Sequence, residues 1–310
     1  VILYCAGNMA PEILAAMAGR TGARNWLETN AHKGSRNCAD HFASFECMEQ
    51  RFRLFVDSGA FTVWCKGSKG KAIDHDAYIA YAKDLLYRAV YPERVVFASL
   101  DIIPGTLEGD YPTEKQFHAA ATRGWANYQR EKAAGLKTIP TFHQGDPWQF
   151  LDMMATDTDY IGISPRKVDA TRQEKMEWLN DVFRRIDAMG KLPKPGNMHN
   201  AIKTHGLGVS SPELMRTYPW FSVDSRAWLL GGKGYFFFFD GSRIQRVPSS
   251  EWGRRAVESG HTLSAIRHYK PPFKANLVYY YHEKAMRADT ELNAYMTEHW
   301  QARGVDWNHD

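Results

Sequence analysis

The sequence predicts a (β/α)8 barrel of the TIM type with irregular insertions, and three observations carry that expectation. Short apolar β-type runs recur along the chain, and most lead into a polar residue and a turn. Segments of helical periodicity separate them, with no internal linker and no low-complexity stretch. Eight such runs are present, a number that favours closure of a parallel sheet into a barrel. An open doubly wound sheet is the alternative. No Gly-x-Gly-x-x-Gly follows the first strand, which weighs against a dinucleotide-binding fold.

In chain order, Val1–Cys5 is the first candidate strand, followed by a helix-like run over Pro11–Met17 with Pro near its first turn. Residues 22–50 are polar and irregular and read as a loop or excursion. The second strand, Arg53-Leu54-Phe55-Val56, runs into Asp57. Asp76–Arg88 carries helical periodicity through Tyr78, Ile79, Ala82, Leu85 and Leu86. A third strand from Val95 ends at Asp101, and Thr113 is placed to cap the helix that runs to Gly135. The fourth strand ends at Gln144 and a short helix spans Pro147–Met154. The fifth ends near Ser164, before an amphipathic helix over Ala170–Met189. The sixth ends at Gly208 and the seventh delivers Asp224. The tract Tyr235-Phe236-Phe237-Phe238-Phe239 is the eighth candidate, stopped by the turn signal Asp240-Gly241. A closing helix covers 275–301. One catalytic domain over 1–310 is expected, with a basic segment at 226–274 and a helical tail at 275–310.

Composition narrows the class. The 310 residues are 44% hydrophobic, ordinary for a globular protein with a full core. No apolar run reaches 18 residues, so no membrane span is expected. The opening residues lack the basic leader and length of a signal peptide, and Cys5, Cys38, Cys47 and Cys65 are few and irregular. A reduced, cytoplasmic setting is the expectation. The net charge of +4 is unevenly placed: nine basic residues between Arg226 and Lys274 face three acids, Asp240, Glu251 and Glu258. That excess suits a polyanionic partner or an ordinary solvated face. Lys66 and Lys69, in the loop Lys66-Gly67-Ser68-Lys69-Gly70-Lys71, are positioned to touch phosphate or simply to solvate a turn.

In a barrel the site lies at the C-terminal ends of the strands. There the sequence places Asp57, Asp101, Gln144, the backbone around Gly162, His205 and Asp224. Carboxylates gathered in a cleft divide naturally into acid and nucleophile roles, and a carboxylate nucleophile permits exchange of one leaving group for another. The bland alternative is that each Asp is a helix cap or loop brace. His143 and His205 could join an Asp as metal ligands in a barrel hydrolase, although no His-x-His or His-Glu-x-x-His spacing is present. A non-catalytic nucleic-acid-binding barrel would use the basic face alone.

Several of these segments resemble the tRNA-guanine transglycosylase superfamily. Asp57-Ser58-Gly59-Ala60-Phe61 is similar to its Asp-Ser-Gly-Gly-Phe/Tyr motif, Leu100-Asp101-Ile102-Ile103-Pro104 to its Phe-Asp-x-x-x-Pro segment, and Gln144-Gly145 to its Gln-Gly. Tyr160-Ile161-Gly162-Ile163 resembles its Gly-Gly-Leu strand, and His205-Gly206-Leu207-Gly208-Val209 its Leu-Met-Gly-Val-Gly turn. Val223-Asp224 falls where the family keeps its nucleophilic Asp. The order matches over roughly residues 50–230.

The resemblance implies a (β/α)8 transglycosylase with Asp224 as nucleophile and Asp57 as general acid/base. It implies a base pocket of Ser58, Gly59, Asp101, Gln144, Gly145, Gly162, Gly206 and Gly208, with the guanine N1 and N2 edge read by Asp101. The Gly162 backbone N–H would face the base O6, together with Gln144. The family's Cys-x-Cys-x-x-Cys plus His zinc site is absent after Asp224. Cys38-x-x-His41 with Cys47 could in principle bind a structural zinc, although the spacing matches no zinc motif, and no catalytic metal or redox cofactor is implied. Without that zinc module the chain looks most like the shorter paralogues that place 7-deazaguanine bases such as preQ0 or preQ1 into DNA, in phages and bacterial DNA-modification clusters. The resemblance then implies DNA as partner, with tRNA the alternative, no membrane, and the host cytoplasm if phage-encoded. Arg226, Trp228 and Lys233 would hold and stack the nucleic acid.

Overall fold

The computed structural model describes residues 1–7, 17–30, 52–67, 70–105, 111–165, 170–209, 211–226, 235–241, 244–248 and 273–307. Nine parallel strands form one sheet: β1 (Ile2–Ala6), β2 (Asn25–Thr29), β3 (Arg53–Asp57), β4 (Val95–Ala98), β5 (Thr138–Ile139), β6 (Thr141–His143), β7 (Tyr160–Ser164), β8 (Lys203–Gly206) and β9 (Ser222–Ser225). Their order is β5-β4-β3-β2-β1-β9-β8-β7-β6. The two end strands are consecutive in the chain, separated only by Pro140, which has no N–H to give to a ladder. The ladder still continues across it. Ser99 N donates to Ile139 O at 2.8 Å on one side, and Gly162 N donates to Pro140 O at 2.8 Å on the other. β5 and β6 are therefore one stave interrupted by proline. Counted that way the ring has eight staves and closes. The chain folds as an α/β barrel of the TIM type.

Side chains alternate across the pleat, and the alternation sorts the core. Tyr4, Ala6, Leu27, Phe55, Ala98 and Ile139 form the cluster inside the barrel. The residues of opposite parity join two outer clusters with the helices, among them Cys5, Trp26, Leu54, Val56 and Phe97 in one and Leu3, Phe142, Ile161, Ile163 and Val223 in the other. This parity turns Asp57, His143, His205, Ser222 and Asp224 inward.

The helical layer comprises α1 (Ala60–Lys66), α2 (His75–Arg88), α3 (Glu114–Ala133), α4 (Trp148–Asp157), α5 (Arg172–Ala188), α6 (Pro212–Thr217) and α7 (Phe273–Gln301), and residues 17–21 are also helical. Asp74 caps α2 through the Ala77 N–H, and α3 and α5 each open with a capping box, Thr113 with Gln116 and Thr171 with Glu174. The expected cap at Thr113 is thus present. α7 packs on β1, where the Leu3 N–H donates to Asn293 Oδ1 at 2.5 Å. Among the described residues, no helix is long and apolar enough to cross a membrane.

The expected eighth strand is wrong, although the count of eight is right. Tyr235–Phe239 does not enter the barrel. As β10 it pairs antiparallel with β11 (Ile244–Pro248), Phe239 opposite Ile244, and the hairpin packs against α7. The missing stave is β2, inside the stretch read as loop. Its outward Trp26 is wholly buried and its inward Leu27 nearly so, but Asn25, Glu28 and Thr29 dilute its apolar signal. Glu28 is itself only 1% exposed. Strands buried on both faces usually read as near-continuous apolar runs, and β2 departs from that pattern at Asn25, Glu28 and Thr29.

Candidate active site

The inward residues at the C-terminal ends of the staves fall into two hydrogen-bonded groups. The first is centred on Asp101, three residues past β4. Ser58, wholly buried just after β3, donates from Oγ to Asp101 Oδ1 at 3.1 Å and accepts the Ala60 N–H at 3.3 Å as α1 begins. His143 Nε2 lies 2.8 Å from Asp101 Oδ2. Asp146, in the turn after β6, accepts the His143 backbone N–H on Oδ2 at 2.9 Å, and the same oxygen is 3.4 Å from His143 Nδ1. Both ring nitrogens of His143 thus face carboxylates. Burial alone would lower its pKa. The hydrogen bonds and charges of Asp101 and Asp146 override that and push it up to about 10, so the imidazole is a cation at neutral pH.

The second group surrounds Asp224, which is 7% exposed on β9. The Gly208 N–H donates to Asp224 Oδ1, and His205 Nε2 sits 3.6 Å from the same oxygen. His205 is wholly buried inside the barrel, stacked on Phe55 with ring centroids 4.3 Å apart. Its Nδ1 pairs with Ser222 Oγ at 2.7 Å, and Ser222 Oγ pairs in turn with the Tyr160 phenol. Burial holds that phenol well above its ordinary pKa, so it stays neutral. The chain Tyr160–Ser222–His205 thus runs up the barrel interior towards Asp224.

Asp57, half-buried, ends β3, which is separated from β9 by β2 and β1 in the ring. Gln144 is half-buried directly after His143, its backbone N–H on Ser164 O at 3.0 Å. Asp57, Asp101, Gln144 and Asp224 therefore share one end of the barrel, as expected from their positions at strand ends.

The expected base-pocket glycines and Ser58 each have a definable contact within the barrel. The Gly162 N–H is engaged in the ladder to Pro140, so it is not a donor for a ligand. What Gly162 contributes is room, since a Cβ there would lie 2.9 Å from Thr141 Oγ1. Gly206 has outward parity, and a Cβ would press on Val209 and Trp220 at 2.9 and 3.2 Å, which makes it a packing glycine. Gly208, at φ 66°, contributes the N–H that holds Asp224. Gly145 takes φ 115° with the Phe117 ring 2.4 Å from where a Cβ would stand. Gly59, at φ 93°, is the N-cap of α1. Ser58 orients Asp101 from a buried position.

Lys66 is exposed in the last turn of α1, and Arg226 is exposed directly after β9. Trp228, Lys233, Lys69, Cys38, His41, Cys47 and most of the basic segment lie outside the described residues. Among the described residues no group of three or more His, Cys, Asp or Glu is arranged to hold a metal ion. His143 and His205, the two histidines considered as ligands, belong to different groups.

Glu131 went unnoticed in the sequence. It is wholly buried on α3, and its Oε1 accepts the Leu100 N–H at 3.0 Å and lies 2.9 Å from His75 Nε2, while Thr138 donates to Oε2 at 2.7 Å. Asn127, one helical turn earlier, donates to Leu100 O at 2.8 Å. The peptide units on both sides of Leu100 are thereby clamped next to Asp101. The loop beyond is braced separately, by Trp64 Nε1 on Pro104 O at 3.2 Å. The spacing of Asn127 and Glu131 on one helix face was the available signal.

No protein-family model matches the chain, and no curated protein matches it. Among solved structures it is similar to the crystal structure of the 4-hydroxy-2-oxoglutarate aldolase/2-deydro-3-deoxyphosphogluconate aldolase from TTHB1. The identity is 11% and the TM-score 0.38, over 73% of this chain and 84% of that one. The barrel architecture follows from the strand pairing alone.

Proposed function

We propose that the protein is a base-exchange transglycosylase that replaces guanine in DNA with a 7-deazaguanine base. What carries the reading is the placement of three carboxylates, Asp57, Asp101 and Asp224, at one end of the barrel, with Asp224 held by the Gly208 N–H. The likeness of their surrounding segments to the tRNA-guanine transglycosylase superfamily supplies the roles.

In this reaction the Asp224 carboxylate attacks C1′ of a deoxyguanosine, forming a C–O bond as the C1′–N9 bond breaks. Asp57 delivers the proton that lets guanine leave neutral. The incoming 7-deazaguanine returns a proton from N9 to Asp57 and attacks C1′, and the Asp224 carboxylate is released unchanged. The reaction needs no redox cofactor and no catalytic metal. Asp101 accepts from the guanine N1–H and 2-amino group, a donor pair that suits an ionised carboxylate. Gln144 reaches the base O6. A duplex hides C1′, so the target nucleotide is unpaired or flipped out.

Incubation of the protein with DNA and labelled guanine tests the reading. Label should enter the DNA, and it should do so in preference to tRNA when both are offered. Incorporation into tRNA alone would transfer the proposal to tRNA exchange, and no incorporation into either would end it.

A further inference from the structure

We propose that His143 is a specificity-determining positioning residue, clamped between Asp101 and Asp146, that holds the Asp101 carboxylate in place as an acceptor for the donor edge of a purine. The inference rests on the preceding reading of the site and adds to it a residue that the sequence motifs did not assign.

The geometry supports it in three ways. His143 Nε2 and Nδ1 face carboxylates at 2.8 and 3.4 Å, and a neutral imidazole has only one N–H to give. The ring is held on its own strand as well, because Asp146 Oδ2 also accepts the His143 backbone N–H, closing a tight turn through the Asp146 N–H on His143 O at 3.0 Å. Asp101 is held from its other side by the Ser58 hydroxyl, so its carboxylate plane is defined by two donors from two staves. The charged groups facing His143 are Asp101, from the segment after β4, and Asp146, from the turn after β6. The small cavity beside the ring is completed by uncharged residues, among them Gly124 and Trp125 of α3 and Met154 of α4.

The consequence is chemical. An ionised carboxylate accepts from both the N1–H and the 2-amino group of guanine, whereas a protonated one presents a donor to one of them. A charge-assisted hydrogen bond is roughly twice as strong as a neutral one, so an imidazolium holds the Asp101 carboxylate facing that edge more firmly than a neutral donor does. With a neutral donor in its place, guanine selection should weaken.

The test is His143→Gln, which keeps a side-chain amide able to donate to Asp101 but carries no charge. Exchange into DNA is measured with guanine and with hypoxanthine, which lacks the 2-amino group, from about pH 5 to about pH 9. The wild type should prefer guanine with little pH dependence. The variant should show a KM for guanine raised by roughly tenfold or more while kcat changes less, a split that loss of packing alone would not produce. If His143→Gln does not fold, Asp146→Asn serves in its place. It leaves the imidazole on Asp101 but weakens its second clamp, so the KM for guanine should rise while kcat changes less. A folded variant with unaltered guanine preference overturns the inference and leaves the exchange reaction standing. Failure of the wild type to exchange guanine at all overturns the reading of the site instead, and this inference with it.

Discussion

The Leu100 backbone N–H donates to Glu131 Oε1 at 3.0 Å, so a wholly buried carboxylate on α3 holds the Ser99–Leu100 peptide, one residue before Asp101. Three groups converge on Glu131, from Leu100, His75 and Thr138, and all three contacts are to carboxylate oxygens. A Gln at this position presents one NH2 that cannot accept from them. Glu131→Gln should therefore cost about 1–3 kcal/mol of stability and should raise the KM for guanine more than it lowers kcat. Denaturant unfolding and exchange kinetics check both. Full stability with unchanged kinetics would show that the Leu100 clamp is dispensable.

Asp224→Asn should reduce base exchange by on the order of 10³-fold or more, because an amide cannot form the covalent sugar intermediate. The fold should survive, since Asn can still accept the Gly208 N–H through its carbonyl. Denaturation of stalled reactions should reveal a protein–DNA adduct with the wild type and none with the variant. Ordinary exchange by Asp224→Asn would remove this residue from the chemistry.

Asp101→Asn tests base reading directly. The amide presents a donor where guanine needs a second acceptor, so preference for guanine over hypoxanthine should fall far more than DNA affinity, which phosphate contacts dominate. Leaving one such group unpaired is worth about 1–3 kcal/mol, or roughly tenfold to a hundredfold in selection. Comparison of the two purines in wild type and variant decides it, and an unchanged ratio in a folded protein would contradict the assignment.

A prediction about stability concerns α7. Asp289 is 2% exposed there, and burial pushes its pKa up to about 7, opposed by a hydrogen bond with Ser225. Because the folded value lies above the unfolded one, the native state binds the extra proton between about pH 4 and pH 7. Wild-type stability should therefore fall as pH rises through that window and level off above it. Asp289→Asn, isosteric and uncharged, should remove the slope. It should stabilise the protein at about pH 8 by up to roughly 4 kcal/mol, with little effect near pH 4. Denaturant unfolding at the two pH values measures this, and a variant no more stable at pH 8 would show that the buried carboxyl is accommodated without penalty.

Gly145→Ala should destabilise by about 1–3 kcal/mol. Its Cβ would stand 2.4 Å from the Phe117 ring, and φ 115° is a region L side chains rarely adopt. The flanking Gln144 and Asp146 would shift with it, so exchange should weaken even where the variant is folded. Thermal unfolding and exchange kinetics on the same preparation separate the two effects, and neither changing would show that the turn relaxes freely.

Local features were legible in the sequence: the short apolar runs of most staves, the cap at Thr113, and the polar residues at strand ends. Position at strand ends places Asp57 and Asp224 at the same end of any parallel barrel, with no knowledge of which strands are neighbours. Which way each side chain turns, and what stands next to it, came from the closed ring. Whether Trp26-Leu27 or the phenylalanine run became the remaining stave depended on which segment had partners on both edges: Asn25–Thr29 lies between β1 and β3, while Tyr235–Phe239 is held by β11 and α7. The role of His143 also depended on ring order, because β4 and the β5–β6 stave are adjacent and so bring Asp101 within 2.8 Å across 42 residues of chain. Gly162 and Gly206 look alike in sequence, and their difference lies in what stands beside them, a ladder carbonyl and Thr141 in one case and Val209 with Trp220 in the other. Alternation is set by each residue's own backbone, but a neighbour across the barrel is set by closure of the whole ring, and no short window of sequence contains that information.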